Sequence, residues 1–461
     1  MNNLNFLVDV LKESPVFKTL EKNVKPGRTV CASGLSTINK SNIIYALCRL
    51  KGVTAFCLAS DEKEAQTLCN DLSCMGLRAY VYPVRDFNFL DFQSRSHEYE
   101  HARLKVLLKL LNHECDVAIA CVDAAAQLTV PRNVLEQSVI EFEEGRELSL
   151  EKATKALTLL GYERFDAVEG SGQFSLRGGI LDFFMPDSDY PVRCEFWGDE
   201  ITDLSYFDIE TQRRFKKADK ITLSPSTEIV IEDRAALADK IEHKAKLLRS
   251  KNSAKAKEKL FSEAELIRSG AMIANADKFI NQIYDKPESL FDYLDRNTLV
   301  FASEFTAIQE RGKSMDFISN ETLMQGFEDG TLCRGFDRFA LTFNECTEFL
   351  QSHGTIVLEN FVHGSMPIKL SEIISFSTKQ LSAWGGSYKQ LKEDVDGLFT
   401  PESKGVIFAG TERAAKNLCD TFNADGINAV YSEGADKISK GELLVMQGAL
   451  SAGFEYPSQK F

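Results

Sequence analysis

The chain has 461 residues, length for about three domains, and its 44% hydrophobic residues can bury several cores. With 68 acidic against 54 basic residues the net charge is −14, which excludes affinity built on overall phosphate neutralisation and favours protein partners. Eleven scattered cysteines form no CxxC pair and no zinc-like spacing with histidine, so reduced, mostly buried thiols of a cytoplasmic protein are expected. The start, MNNLNFLVDVLKES, lacks the basic and apolar regions of a secretory signal, and no run of roughly 18 apolar residues suggests a membrane span.

In chain order, Thr29–Ser33 reads as a strand, Lys40–Leu50 as a helix, Val53–Ala59 as a strand and Glu62–Met75 as a helix. Arg78–Tyr82 is a third strand, Arg103–Leu111 a helix and Val117–Val122 a fourth strand. This alternation predicts a parallel sheet covered by helices on both faces. The rhythm then breaks. A strand at Glu136–Phe142 and a helix at Leu150–Leu160 precede strands at Gln173–Phe184, Pro191–Trp197 and Glu200–Phe207. Pro186-Asp187-Ser188-Asp189 and Gly198-Asp199 supply the turns, and the whole reads as an α+β insert. The α/β pattern resumes with helices between Ala235 and Tyr284 and a strand at Thr298–Ala302. A second unit begins near Ile368, with helices at Leu381–Asp396 and Glu412–Asn423 and strands at Val406–Ala409, Asn428–Tyr431 and Leu443–Met446. The expected domains are 1–132 and 213–350 as two parts of one α/β domain, 133–212 as the insert, and 365–461 as a small α/β domain.

The stretch Val168–Arg214, VEGSGQFSLRGGILDFFMPDSDYPVRCEFWGDEITDLSYFDIETQRR, is the most informative part of the chain. In its middle strand a period of two puts Val192, Cys194 and Phe196 on one face and Arg193, Glu195 and Trp197 on the other. Arginine and tryptophan are residue types that dominate binding hot spots. The bland alternative has Arg193 paired with Glu195 or Asp199 and Trp197 flat on the sheet. The run from FSLRGGILDFF through YPVRCEFWGDEI to FDIETQR resembles the segment shared by bacterial transcription-repair coupling factors (Mfd) and the excision-repair protein UvrB. The resemblance implies a small domain that docks on UvrA through Arg177, Arg193 and Trp197, with an aromatic residue, usually Phe, standing in the family where Trp197 stands here. It also implies a helicase-like α/β module split by that insert and followed by a further α/β domain. In the family an RNA-polymerase-interacting domain and a double-stranded-DNA translocase, with its ATP and magnesium, come next. The chain is therefore read as an N-terminal fragment, a non-catalytic adaptor in transcription-coupled nucleotide excision repair that needs no cofactor of its own.

Four other features carry candidate chemistry. Gly34-Leu35-Ser36-Thr37-Ile38-Asn39-Lys40-Ser41 lies between a strand and a helix, the place of a phosphate-cradling loop, but Asn39 replaces the second glycine of the template. The acid that would hold magnesium is lacking in LVFASE: only Glu304 is near, one residue out of register and expected on the opposite face of its strand. His97 and His101 stand four apart in HEYEH with only His113 as a third ligand, so a solvated helix start is expected rather than zinc. Lys240 to Lys259 concentrates basic residues among Glu242 and Glu258 without interleaved aromatics, which reads as a solvated helical face rather than a DNA contact. The competing readings are an ATP-driven helicase-like enzyme using Lys40, and a UvrB-like damage-loading protein. The second is ranked last, because the run from Val117 to Pro131 contains no tyrosine-rich hairpin.

Overall fold

The structure is a computed structural model, and it describes residues 4–85, 97–249, 253–270, 276–361, 366–381 and 384–461. Two helices, Asn5–Glu13 and Pro15–Asn23, open the chain. The Ser14 hydroxyl accepts from Phe17 N–H and a proline fills the first helical position of the second helix. Four strands follow: β1 (Val30–Ser33), β2 (Ala55–Ala59), β3 (Ala79–Tyr82) and β4 (Val117–Cys121). The insert contributes β5 (Ile140–Glu143), β6 (Glu163–Arg164), β7 (Gln173–Arg177), β8 (Ile180–Phe183), β9 (Val192–Trp197), β10 (Glu200–Phe207), β11 (Arg214–Lys217) and β12 (Lys220–Leu223). After it come β13 (Leu299–Ser303), β14 (Thr355–Leu358) and β15 (Glu372–Ser375), and then β16 (Lys379–Leu381), β17 (Lys404–Phe408), β18 (Ala429–Ser432), β19 (Glu442–Met446) and β20 (Gly453–Glu455).

The large sheet is parallel throughout, in the order β15-β1-β14-β13-β2-β4-β3. Its inner strands read as continuous apolar runs because helices cover both faces, and β1, β2, β4 and β14 are buried along their whole lengths. One face packs on the helices Asn5–Glu13 and Thr37–Lys51 through Phe6, Tyr45 and Leu47; the other packs Phe56, Leu104, Phe291 and Phe305. The sheet takes in β14 and β15, so it extends past residue 350 to Ser375.

The insert is a six-stranded sheet, β11-β10-β9-β8-β7-β6, with the helix Leu150–Leu159 on one side. Phe142, Leu157, Phe174, Phe183, Phe196 and Ile201 form its core. Its first and last strands, β5 and β12, pair antiparallel with each other, Ile140 opposite Leu223. Beyond β12 the chain is anchored on the helix Glu98–Leu111. Arg103 is fully buried and pairs with Glu228 through Nε–Oε1 (2.6 Å) and Nη2–Oε2 (3.2 Å). Glu100 accepts from Thr227 Oγ1 and Glu228 N–H, both at 2.8 Å. A buried ion pair without such extra partners would be unfavourable.

The last unit is a parallel sheet, β17-β19-β18, with the helix Glu412–Ala424 packed on it and a β16–β20 pair beside it. It is bonded to the first large-sheet layer. Asn42 Nδ2 donates to the Tyr456 hydroxyl (3.1 Å), and the Asp71 carboxylate accepts from Ser451 N–H (2.8 Å) and Oγ (2.7 Å).

Several predicted elements differ from the observed ones. The helix expected at Lys40–Leu50 runs Thr37–Lys51, which takes Thr37, Ile38 and Asn39 out of the phosphate-loop candidate and into helical turns. Of the strand expected at Glu136–Phe142, Ile140–Phe142 lie in β5, whereas Glu136 and Gln137 end a helix, Arg132–Gln137, that follows Pro131. Gln173–Phe184 is not one strand but the hairpin β7–β8, reversed at Gly178-Gly179, where Gly178 has φ 62°. The helix expected at Leu381–Asp396 starts only at Tyr388, and β16 occupies the residues before it. The two opening helices were not predicted.

Candidate docking face and the phosphate-loop position

The polar face of the six-stranded sheet is assembled by register. Asp182 on β8 stands opposite Arg193 on β9, which stands opposite Ser205 on β10; Arg177 lies on the same face of β7, two residues beyond the partner of Asp182. Trp197 ends β9 at the Gly198-Asp199 turn, where Gly198 has φ 64°. Val192, Cys194 and Phe196 point into the core, as the two-residue period required.

The Asp182 carboxylate, 2% exposed, is shared by both guanidiniums. Arg193 meets it through Nε–Oδ1 (2.8 Å) and Nη2–Oδ2 (2.9 Å), and Arg177 through Nη2–Oδ2 (2.7 Å). Arg193 also donates to the Gln212 backbone oxygen (3.2 Å) and Oε1 (3.1 Å), and its Cζ lies 4.4 Å from the centre of the Phe207 ring. The hydrogen bonds to Asp182 outweigh burial and hold Arg193 above its ordinary pKa. Exposure rises outward: the Arg193 side chain is 13% exposed, Arg177 49% and Trp197 82%. An indole so exposed contributes nothing to the core. Arg193 therefore pairs with neither Glu195 nor Asp199. Glu195 is taken by Arg214, which also holds Asp203 at 2.9 Å. Asp182 and Gln212 were not singled out from sequence. The signal for Asp182 lay in the Gly-Gly reversal of FSLRGGILDFF, which sets Asp182 beside both arginines once the hairpin is drawn. Gln212 adopts φ 57° in a tight turn that no periodicity discloses.

At the phosphate-loop position the residues turn inward. Gly34 has φ 78°, and a Cβ there would overlap the Phe376 carbonyl oxygen. Asn39 is fully buried and its Oδ1 accepts from Ser36 Oγ (2.7 Å). Lys40 Nζ donates to Ser303 Oγ (2.9 Å), Glu304 Oε1 (2.6 Å) and Glu64 Oε1 (3.3 Å), with the lysine side chain 2% exposed. Ser41 Oγ is 3.3 Å from both Thr37 O and Asp71 Oδ2. Glu304 was expected on the far face of its strand. It lies beyond the end of β13 in the left-handed region, φ 56°, where strand alternation no longer applies, and its carboxylate swings onto Lys40. Burial would raise the Glu304 pKa, but the Lys40 charge and hydrogen bond more than offset it and hold it low. Fully buried Glu359, whose Oε1 accepts from Phe305 N–H (2.8 Å), is pushed up to about 7 by burial and then by Glu304.

The other candidates are placed as follows. His97 and His101 stack at 5.9 Å, His97 Nδ1 lies 3.0 Å from Glu100 Oε2, and burial lowers the His101 pKa. His113 sits past the far end of the same helix, away from both. Among the described residues, the one grouping with metal-ligand spacing is Glu62, Cys121 and Asp123, and Arg311 lies against both carboxylates. The basic stretch forms the paired helices Arg234–Leu247 and Ser253–Ser269. Lys240 reaches Asp285 and the Gln282 carbonyl, Lys244 the Gly335 carbonyl, and Lys246 Glu242; Lys251 lies outside the described residues. No helix among the described residues is long and apolar enough to cross a membrane.

Comparison with known proteins agrees with this layout. Residues 140–229 match the UvrB interaction domain family, a span that includes the six-stranded sheet and its β5–β12 stalk. The transcription-repair-coupling factor of Bacillus subtilis is 26% identical over 464 residues, a match covering 98% of this chain and 39% of that protein. Those of Staphylococcus epidermidis and Staphylococcus aureus are 25% and 22% identical, covering 82% and 98% of this chain. The chain spans about two fifths of the length of the Bacillus subtilis relative. Over nearly its full length, then, the chain is similar to part of the transcription-repair-coupling factors, consistent with their N-terminal part, and its residues 140–229 are similar to the UvrB interaction domain.

Proposed function

We propose that the chain is a non-catalytic adaptor that presents Arg177, Arg193 and Trp197 to UvrA and so recruits the excision machinery to stalled-polymerase sites in transcription-coupled nucleotide excision repair. The observation that carries this is the outward indole of Trp197, 82% exposed, on the same sheet face as two guanidiniums on one buried carboxylate, inside the span that matches the UvrB interaction domain. Absence of catalysis is supported by the inward engagement of Lys40, whose ammonium is hydrogen-bonded to two carboxylates and a serine rather than turned toward a phosphate. Contacts with RNA polymerase and duplex DNA, and ATP- and magnesium-driven translocation, are assigned to the part of the relatives' length that this chain does not span. A cytoplasmic location belongs to the same proposal.

Purified chain should co-elute with UvrA, and Arg193→Ala or Trp197→Ala should weaken the complex by more than about 1–2 kcal/mol, as for a hot spot. Unchanged affinity in both variants removes the docking face. With ATP, magnesium and DNA the chain should release no phosphate above buffer; sustained release overturns the non-catalytic reading.

A further inference from the structure

The two arginines of the docking face are not equivalent. A guanidinium has five N–H donors. Arg193 makes four hydrogen bonds within the protein, two to Asp182 and two to Gln212, and rests on the Phe207 ring. Arg177 makes one, to Asp182 Oδ2, so four of its N–H groups have no acceptor among the described residues. We propose that Asp182 is a positioning residue of this face: it locks Arg193 into a half-buried platform and holds Arg177 upright as the arginine that meets a partner's carboxylate. The inference rests on the docking reading above and adds to it the chemistry of the partner.

One carboxylate between two guanidiniums leaves a single unit of positive charge on these three groups, next to Glu195 and Asp203, which are held by Arg214. Asp182 Oδ2 accepts from both arginines, so it cancels the repulsion that would otherwise drive them apart into solvent. Arg177 keeps a bidentate edge free for a carboxylate. Trp197 lies two strands across and two residues along from the Arg177 position, about 12 Å by standard sheet spacings. The matching surface therefore carries an acidic side chain and, about 12 Å away, an apolar hollow for an indole.

The test uses the whole chain and UvrA. Asp182→Asn, which keeps the shape and removes the charge, should weaken binding at least about fivefold, and the same change in an Arg177→Ala background should cost a smaller factor, the share that runs through Arg193. In nitrogen-15 spectra of the free chain the Arg193 Nε–H should exchange slowly, and quickly in Asp182→Asn. Should Asp182→Asn fail to fold, Gln212→Ala removes only the side-chain half of the second clamp, and the Arg193 Nε–H should still exchange slowly because Asp182 Oδ1 holds it; fast exchange in that variant overturns the proposal. An undiminished loss in the Arg177→Ala background, or fast exchange of Arg193 Nε–H in the unaltered chain, overturns the proposal. If the unaltered chain does not bind UvrA the docking reading falls, while the Arg193 exchange still decides whether Asp182 positions it.

Discussion

Replacing Lys40, the residue a nucleotide-binding loop would need, should act on stability. Its ammonium is sealed from solvent and satisfies Glu304 at 2.6 Å, Ser303 at 2.9 Å and Glu64 at 3.3 Å. Lys40→Met leaves two carboxylates facing each other without a cation. Removing one partner of a buried pair costs about 3–5 kcal/mol, and the partial exposure of Glu304 (28%) and Glu64 (11%) reduces this to about 2–4 kcal/mol. At a few degrees per kcal/mol, the melting midpoint should fall by about 5–10 °C. Adding Glu304→Gln removes one of the stranded charges and should restore at least about 1 kcal/mol. Differential scanning calorimetry of Lys40→Met, Glu304→Gln and the double variant measures both effects. A midpoint shift below about 1 °C for Lys40→Met, or strict additivity in the double variant, would show that the cluster is not coupled as drawn.

Two further outcomes follow from the same end of the sheet. Gly34→Ala must hold an alanine at φ 78° and press its methyl on the Phe376 carbonyl, so a loss of about 2–4 kcal/mol in urea-unfolding stability is expected; a change under about 0.5 kcal/mol would refute the close approach. Glu359 has a folded pKa raised to about 7 from 4.5, so its contribution is fully present below the unfolded pKa and is lost as pH rises through 7. Glu359→Gln, which mimics the protonated acid, should flatten the fall of the melting midpoint between pH 5 and 8, and an unchanged slope would count against a protonated Glu359.

The parts of the fold legible in the sequence were those set by local period. The outward placing of Trp197 and the inward placing of Val192, Cys194 and Phe196 came from strand alternation alone. The strand order of the large sheet was not legible, because neighbours such as Cys31 and Val357 are separated by most of the chain and no local pattern encodes their pairing. Asp182 was hidden by one turn: with Gly178-Gly179 read as strand interior, the carboxylate shared by Arg177 and Arg193 could not be drawn. Glu304 was misplaced for the converse reason. A period of two was extended one residue past the end of β13, onto a backbone that had already left the strand.

The pairing of β5 with β12 sets how the insert bears mechanical load. Its two connections run antiparallel and side by side, Glu143 against Lys220 and Ile140 against Leu223, so a pull on the sheet is carried along both backbones at once and the ladder keeps them together. What that ladder transmits arrives at Glu228 and Arg103, deep beside the large sheet and away from the surface loops. The face that carries Trp197 is thus joined to the buried centre beside the large sheet by a short double stem.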